Sequence, residues 1–331
     1  MHDGMTVVAV SKKSDAVSEI GGGIGSVHVT SSNLAVVGEV TGTGPSRIDA
    51  LDGVRAVAVI AVVLFHLDIQ WMSGGFLGVS LFFTLSGFLI TRLLIDERIA
   101  TGRNDLRRFW GRRLRRLSPA SLVVLGAIAA LALTDVFKGV RLRGDLAASL
   151  GYAANWRFAT AESTYAEMFV SSPSPLIHFW SLAIEEQFYL VFPLVFVALA
   201  KRRRGLVVGL GALTVASVVG AFFTESRNLG YYGTHLRAAE LLIGALLAVA
   251  LTSRPSIVRL RMVRLVGPMA WIVMVALMIV IEPADPWLYR GGLAAVALLS
   301  AAIVAMAMRG GVLARGLSWA PIVALGRASY S

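Results

Sequence analysis

The sequence predicts an all-α fold, a polytopic transmembrane helical bundle with about nine to ten spans. Three observations predict it. Of the 331 residues, 56% are hydrophobic and only 15% are charged, with a mean hydropathy of +0.72. An ordinary soluble domain carries roughly 25% charged residues. Apolar stretches near the ~20 residues needed to cross a hydrocarbon core recur along the chain. The basic residues gather between those stretches. Together these features argue against a soluble enzyme and against disorder over most of the length.

Taken in order, residues 1–46 are rich in Gly, Ser, Thr and Val, include Gly21-Gly22-Gly23, and show no sustained apolar face. They are expected to form a flexible N-terminal tail. Lys12 and Lys13 are not followed by the apolar core of a signal peptide. The membrane domain is expected to cover 47–331. Spans are expected at about 53–69, 76–95, 119–137, 178–200, 205–223, 237–251, 264–281 and 291–308, and a last one begins near 320. The stretch 145–160 is apolar but short and is interrupted by Asn155 and Arg157. It reads as a poor span, a re-entrant piece or an interfacial helix. The sequence stops at Arg327-Ala328-Ser329-Tyr330-Ser331 as the last span begins, so that span is expected to be incomplete.

The net charge of +11 comes from 27 Arg and 4 Lys against 20 acidic residues. In a soluble chain it would point to nucleic acid; here it is read as topology, with no nucleic-acid partner. The loop 96–118 holds eight arginines, and further clusters are Lys201–Arg204, Arg254–Arg264 and Arg309–Arg315. These four regions share one side of the bilayer only if 145–160 does not cross. The positive-inside rule then places them and the N-terminus in the cytoplasm, with 138–177 outside. Lys138, Arg141 and Arg143 fall on the wrong side of that arrangement. The absence of cysteine excludes disulfides, thiolate catalysis and any Cys-ligated metal. There is no G-x-S-x-G elbow, Walker A loop, dinucleotide fingerprint or H-E-x-x-H motif, so no metal ligands are assigned.

Ionisable residues inside apolar spans are costly and therefore functional candidates. The first span carries Asp52, Arg55 and His66. Eleven helical steps bring His66 within about 20° of Arg55, roughly 16 Å further along. A structural Asp52–Arg55 pair with an interfacial His66 is the plainer reading of the same residues. A second set, His178, Glu185, Glu186 and Tyr189, follows Ser174-Pro175, which suit a helix N-cap and first turn. His178, Glu185 and Tyr189 are spaced by seven and four and so share a face. Two adjacent carboxylates in a span suit acid–base chemistry, against the alternative of a Glu185 satisfied by a neighbouring Arg or His. His66 and His178 fall at the same depth, and a histidine oriented by a carboxylate can take a proton from a hydroxyl. Arg112, Arg113, Arg115 and Arg116 form two i,i+3 pairs able to clamp phosphates, although topology alone would also place them there. Arg237 and Glu240 open another span as an ion pair or a ligand contact. Gly74-x3-Gly78 and Gly205-x3-Gly209 read as points of close helix approach.

These segments resemble a known family, the integral-membrane acyltransferase-3 proteins. The likeness is carried by Arg47-Ile-Asp-Ala-Leu-Asp-Gly-Val-Arg-Ala56 with the Arg55–His66 spacing, and by Gly75 to Thr91. It continues through Phe109 to Pro119, His178 to Tyr189, Arg237 to Ala248 and the closing Leu325 to Ser331. The resemblance implies an acyltransferase of groups other than aminoacyl groups, multi-pass in a bacterial plasma membrane. It implies transfer of an acyl group, usually acetyl, from cytoplasmic acyl-CoA as co-substrate to a hydroxyl of an envelope glycan, glycolipid or glycoside. No permanently bound cofactor is implied. Arg55 and His66 match the family's catalytic pair. Arg112–Arg116 match its cytoplasmic R-x-x-R region, read as a CoA phosphate contact. Glu185, Glu186 and Tyr189 match its E-E-Q-F-Y block. On this expectation His66 is the general base or is itself transiently acylated. Arg55 orients the thioester or stabilises negative charge, and Glu185 orients a histidine or the sugar. Tyr189 relays the acyl group or bonds the acceptor; Asp52, His178, Glu186 and Arg237 support the acceptor site. The main rival is a proton-coupled transporter of a small polar or anionic solute, since the same residue types build proton relays.

Overall fold

The computed structural model describes residues 48–137, 142–160 and 174–329. The expected tail 1–46, Lys138 and Arg141 lie outside the described residues. Every long element among those described is a helix: α1 (Asp49–His66), α2 (Gly78–Thr101), α3 (Leu106–Leu131), α4 (Leu142–Leu150) and α5 (Ala154–Ala159). There follow α6 (Phe179–Leu199), α7 (Arg203–Phe223), α8 (Arg227–Tyr232), α9 (Thr234–Ser253) and α10 (Arg261–Val280). The last are α11 (Leu293–Arg309), α12 (Val312–Leu317) and α13 (Ala320–Ala328). Seven helical stretches are long and apolar enough to cross a membrane, which gives the polytopic helical bundle read from composition. The 18-residue α1 packs among them and carries Asp49, Asp52 and Arg55 in its first two turns. Where the last span is expected, α13 is nine residues long, about 14 Å of helix.

Burial sorts the helices. The apolar windows of the stretches ending in α2 and α9 are each 67% buried, whereas that of α3 is 6% buried and turns its side chains outward. Lipid offers no hydrophobic drive for one helix to leave it for another, so small residues and close backbones must hold the centre together. The α2–α9 crossing does this reciprocally. A Cβ on Gly87 would stand 1.9 Å from the Leu241 carbonyl oxygen, and one on Gly244 would stand 1.9 Å from that of Thr84. The expected pair Gly74 and Gly78 also marks close approach, to Leu277 and Ala58. Gly205 does not, and Gly209 meets only the Leu199 side chain across its own hairpin.

One reading of the sequence needs correction, and one left open is decided. The arginine-rich stretch taken as a loop over 96–118 is helical from Leu106 onward. Asp105 caps it by accepting from the Arg108 N–H at 2.9 Å, and the helix runs without a break into the apolar half of α3. The arginines therefore stand on a rigid helix, and their i,i+3 pairing is realised. The ambiguous stretch 145–160 is no span. It forms α4 and α5, nine and six residues, joined by an ion pair between Asp145 and Arg157. Its polar interruption is explained by Asn155, fully buried, which donates to the Tyr232 carbonyl and to Thr234 Oγ1, both at 2.9 Å.

The C-terminal end of α1 meets the N-terminal end of α6, because the rings of His66 and His178 touch. Among the described residues between them, α2 and α3 are the helices long and apolar enough to cross. The four basic regions then fall together at the opposite end of the bundle. Replacing Gly87 by Leu forces α2 and α9 apart. We expect a loss of about 1–3 kcal/mol or more, read as a lower thermal midpoint and reduced recovery of monodisperse protein in detergent.

Candidate functional site

The site lies along a groove between α1, α2 and α6. At one end, His66 closes the last turn of α1, and its Nδ1 donates to the Val62 carbonyl oxygen at 2.7 Å. In the neutral ring that bond fixes the tautomer and makes Nε2 the basic nitrogen. His178, on the turn leading into α6, presents its ring edge-on to His66, with centroids 4.4 Å apart and planes at 88°. The two rings line a cleft of about 340 Å³ with Phe76 and Trp180. A second cleft of about 220 Å³ shares Val62, Val79 and Ser181 with the first and continues past Phe83 to Glu185. The groove thus joins the histidines to a carboxylate.

Glu185 accepts hydrogen bonds from Ser86 Oγ at 2.6 Å and from Tyr189, one turn along α6. Arg55, 4% exposed on α1, and Arg113 on α3 both act on its charge. Arg113 lies over the Tyr189 ring, 5.0 Å from its centroid, and reaches Glu186 electrostatically. The neighbouring Trp110 indole donates to the Tyr189 carbonyl at 3.0 Å, fixing α3 against α6. One arginine of the basic cluster therefore belongs to the carboxylate site, while Arg112, Arg115 and Arg116 stay exposed on the same helix. Sequence spacing grouped all four together. The difference is one of contact: Arg113 packs over the Tyr189 ring of α6, a relation between helices that spacing along α3 does not encode.

Other expected site residues are placed elsewhere. Asp52 accepts from Arg327 Nε at 3.4 Å, and Arg327 Nη2 donates to Asp49 at 2.7 Å, so α13 is tied to the start of α1. Arg237 and Glu240 are 2% and 1% exposed and form a buried ion pair. The Arg237 guanidinium lies 5.2 Å from the Phe83 and Trp180 centroids and 5.3 Å from that of Tyr231. Each such contact contributes about 0.5–2 kcal/mol, most where water is excluded. Arg237 reaches the groove only through those rings.

Sequence reasoning passed over Ser86, Trp180 and Gln187. Ser86 and Trp180 sit inside matched motifs but carry no charge to draw attention. Gln187 is two residues, or about 200°, from Glu185 and so faces the other side of α6. It donates to the Tyr152 carbonyl at 2.7 Å and to Asn155 Oδ1 at 2.9 Å. In turn it accepts from Thr234 Oγ1 at 2.6 Å and from the Trp156 indole at 3.2 Å. This network seats α4 and α5 on α6 and α9. On the same side a larger cleft of about 490 Å³, walled mainly by apolar side chains of α6, α7 and α9, holds only Gln187, Ser217, Thr234 and His235 as polar groups. Its lining sets no carboxylate beside His235 for acid–base work.

The match to known proteins covers the groove together with the rest of the described bundle. An acyltransferase domain model matches residues 48–331. The chain belongs to the acyltransferase-3 family. Among curated relatives, the O-acetyltransferase OatA of Staphylococcus aureus is 37% identical over 302 residues, covering 87% of this chain and 49% of the relative. A second S. aureus protein, provisionally named an O-acetyltransferase, is 36% identical over 298 residues, covering 86% of this chain and 49% of its own length. This acyltransferase-3 chain thus spans about half the length of the curated relatives it matches. No solved structure matches it.

Gln187→Leu removes the donor to the buried Asn155 Oδ1 and the acceptor of the half-buried Thr234 hydroxyl. An unmet buried polar group costs about 1–3 kcal/mol, so the thermal midpoint should fall in detergent-solubilised protein. Gln187→Glu, which keeps the acceptors, should fall less.

Proposed function

We propose that this chain is the membrane module of an O-acyltransferase that moves an acyl group, acetyl in the first instance, from cytoplasmic acyl-CoA to a hydroxyl of an envelope glycan, glycolipid or glycoside. The observation that carries the reading is the groove: a tautomer-fixed His66 at one end, and Glu185, held by Ser86, at the other. The family membership and the printed names of the S. aureus relatives support the same chemistry.

In this reading the arginine-rich end is cytoplasmic, as the positive-inside rule requires, and the membrane is the bacterial plasma membrane. Arg112, Arg115 and Arg116 stand exposed near the start of α3, where guanidinium forks hold the donor's phosphates. The long pantetheine arm then follows the groove between α1, α2 and α6, bringing the thioester towards His66. Nε2 of His66 takes the proton of the acceptor hydroxyl as its oxygen attacks the thioester carbonyl. Arg55, buried beside the groove, stabilises the negative charge that develops along it. The C–S bond breaks, the acyl group remains on the acceptor oxygen as an ester, and the proton passes to the departing thiolate, giving free CoA. Glu185, held by Ser86 and Tyr189, fixes the position of Arg55 and Arg113, while His178 packs against the His66 ring and limits its rotation. Asp52 and Arg237 support the site from outside the groove.

Membranes holding the chain, supplied with radiolabelled acetyl-CoA and an envelope fraction, should yield alkali-labile labelled ester. His66→Ala should lower the rate by about 10²–10⁴-fold, the usual contribution of a general base, with unchanged yield of folded protein. Retained transfer in that variant would remove His66 from the mechanism. Arg115→Ala should instead raise KM for acetyl-CoA and leave kcat near its original value, because a phosphate contact binds ground and transition states alike.

A further inference from the structure

We propose that Arg237 is a positioning residue: paired with Glu240, it holds Trp180 by cation–π contact and thereby sets the start of α6, placing His178 against His66. The inference rests on reading the groove as the acyl-transfer site.

Arg237 is too deeply buried to bind a substrate, yet it is far from an ordinary packing residue. Its guanidinium lies against three aromatic rings drawn from three helices: Phe83 of α2, Trp180 of α6 and Tyr231 of α8. Its Nη1 donates to the Tyr231 carbonyl at 3.0 Å, and Glu240 takes the rest of the fork. Two of those rings are walls of the groove. Trp180 lines the histidine end and Phe83 the Glu185 end. Trp180 is also two residues after His178, in the first turn of α6, and is wedged against Tyr231 and Tyr232 at 4.7 and 5.5 Å. The indole therefore fixes how far α6 is rotated about its axis at the point where His178 leaves it. A bare apolar contact would fill the same space without fixing the ring's angle. A planar cation held by a carboxylate fixes both.

The test exploits the absence of cysteine in the chain. The full chain with His66→Cys and His178→Cys carries two thiols whose cross-linking reports the approach of α1 to α6, independently of catalysis. A second variant adds Arg237→Met and Glu240→Met to these, removing both charges together so that neither is left buried and unpaired. Cross-linking should fall several-fold in that background while the protein stays folded by size-exclusion profile. In the histidine-bearing chain the same double substitution should lower kcat roughly ten- to a hundredfold, the scale of a small misplacement, with KM for acetyl-CoA unchanged. Cross-linking equal to that of the two-cysteine chain overturns the proposal, whatever happens to the rate. If the unsubstituted chain transfers no acetyl group, the acyl-transfer reading fails while the cross-link still decides the role of Arg237. Should the double variant not fold, Arg237→Lys keeps the charge facing Glu240 but loses the planar fork; undiminished cross-linking there also overturns the proposal.

Discussion

The cost of placing a charge in hydrocarbon governs this bundle. Among the described residues, several ionisable side chains on the helices are met by groups from other elements. Asp49 and Asp52 face Arg327, Glu185 is held by Ser86 and Tyr189, and Arg237 shares its charge with Glu240 inside an aromatic enclosure. Each of these arrangements joins elements distant in sequence. The pairings therefore do for helix assembly what a hydrophobic core does in water, and they fix which faces meet.

The same economy explains why the groove is where it is. A polar path through the bundle is tolerable only where helices already bring their charged faces together. The faces of α1, α2 and α6 that carry Arg55, Ser86 and Glu185 do so. On the opposite face of α6 the polar groups belong to neutral amides and hydroxyls, and these satisfy one another around Gln187. One helix thus carries a reactive side and a structural side, separated by only two positions in the sequence.

Much of this was legible beforehand. Hydropathy located the long helices, and the distribution of arginine ordered their ends. The shared depth of His66 and His178 followed from counting residues, and the rings do meet. What could not be read were relations that depend on rotation about a helix axis between elements far apart. Arg113 could not be separated from Arg112, Arg115 and Arg116 without knowing which face of α3 meets Tyr189. Neither Gly87 nor Gly244 belongs to a Gly-x3-Gly pair, so the tightest approach of α2 to α9 lacked the spacing that marked Gly74 and Gly78. Asn155 did leave a trace, as a polar break in an apolar run, but its partners lie some 30 and 80 residues away.

The contact between the two histidines has a consequence for how such a chain can change. His66 ends one helix and His178 precedes another, so the two meet only while an even number of crossings separates them. Loops or surface helices added to the intervening stretch leave that relation unchanged, whereas α2 and α3 must stay, since they carry Ser86 and Arg113 to the groove. A single added or deleted crossing would put the two rings on opposite faces of the membrane and invert everything downstream, arginines included. Variation between positions 67 and 177 is thereby confined to steps that preserve parity, and α4 and α5, nine and six residues long, are helices too short to add a crossing of their own.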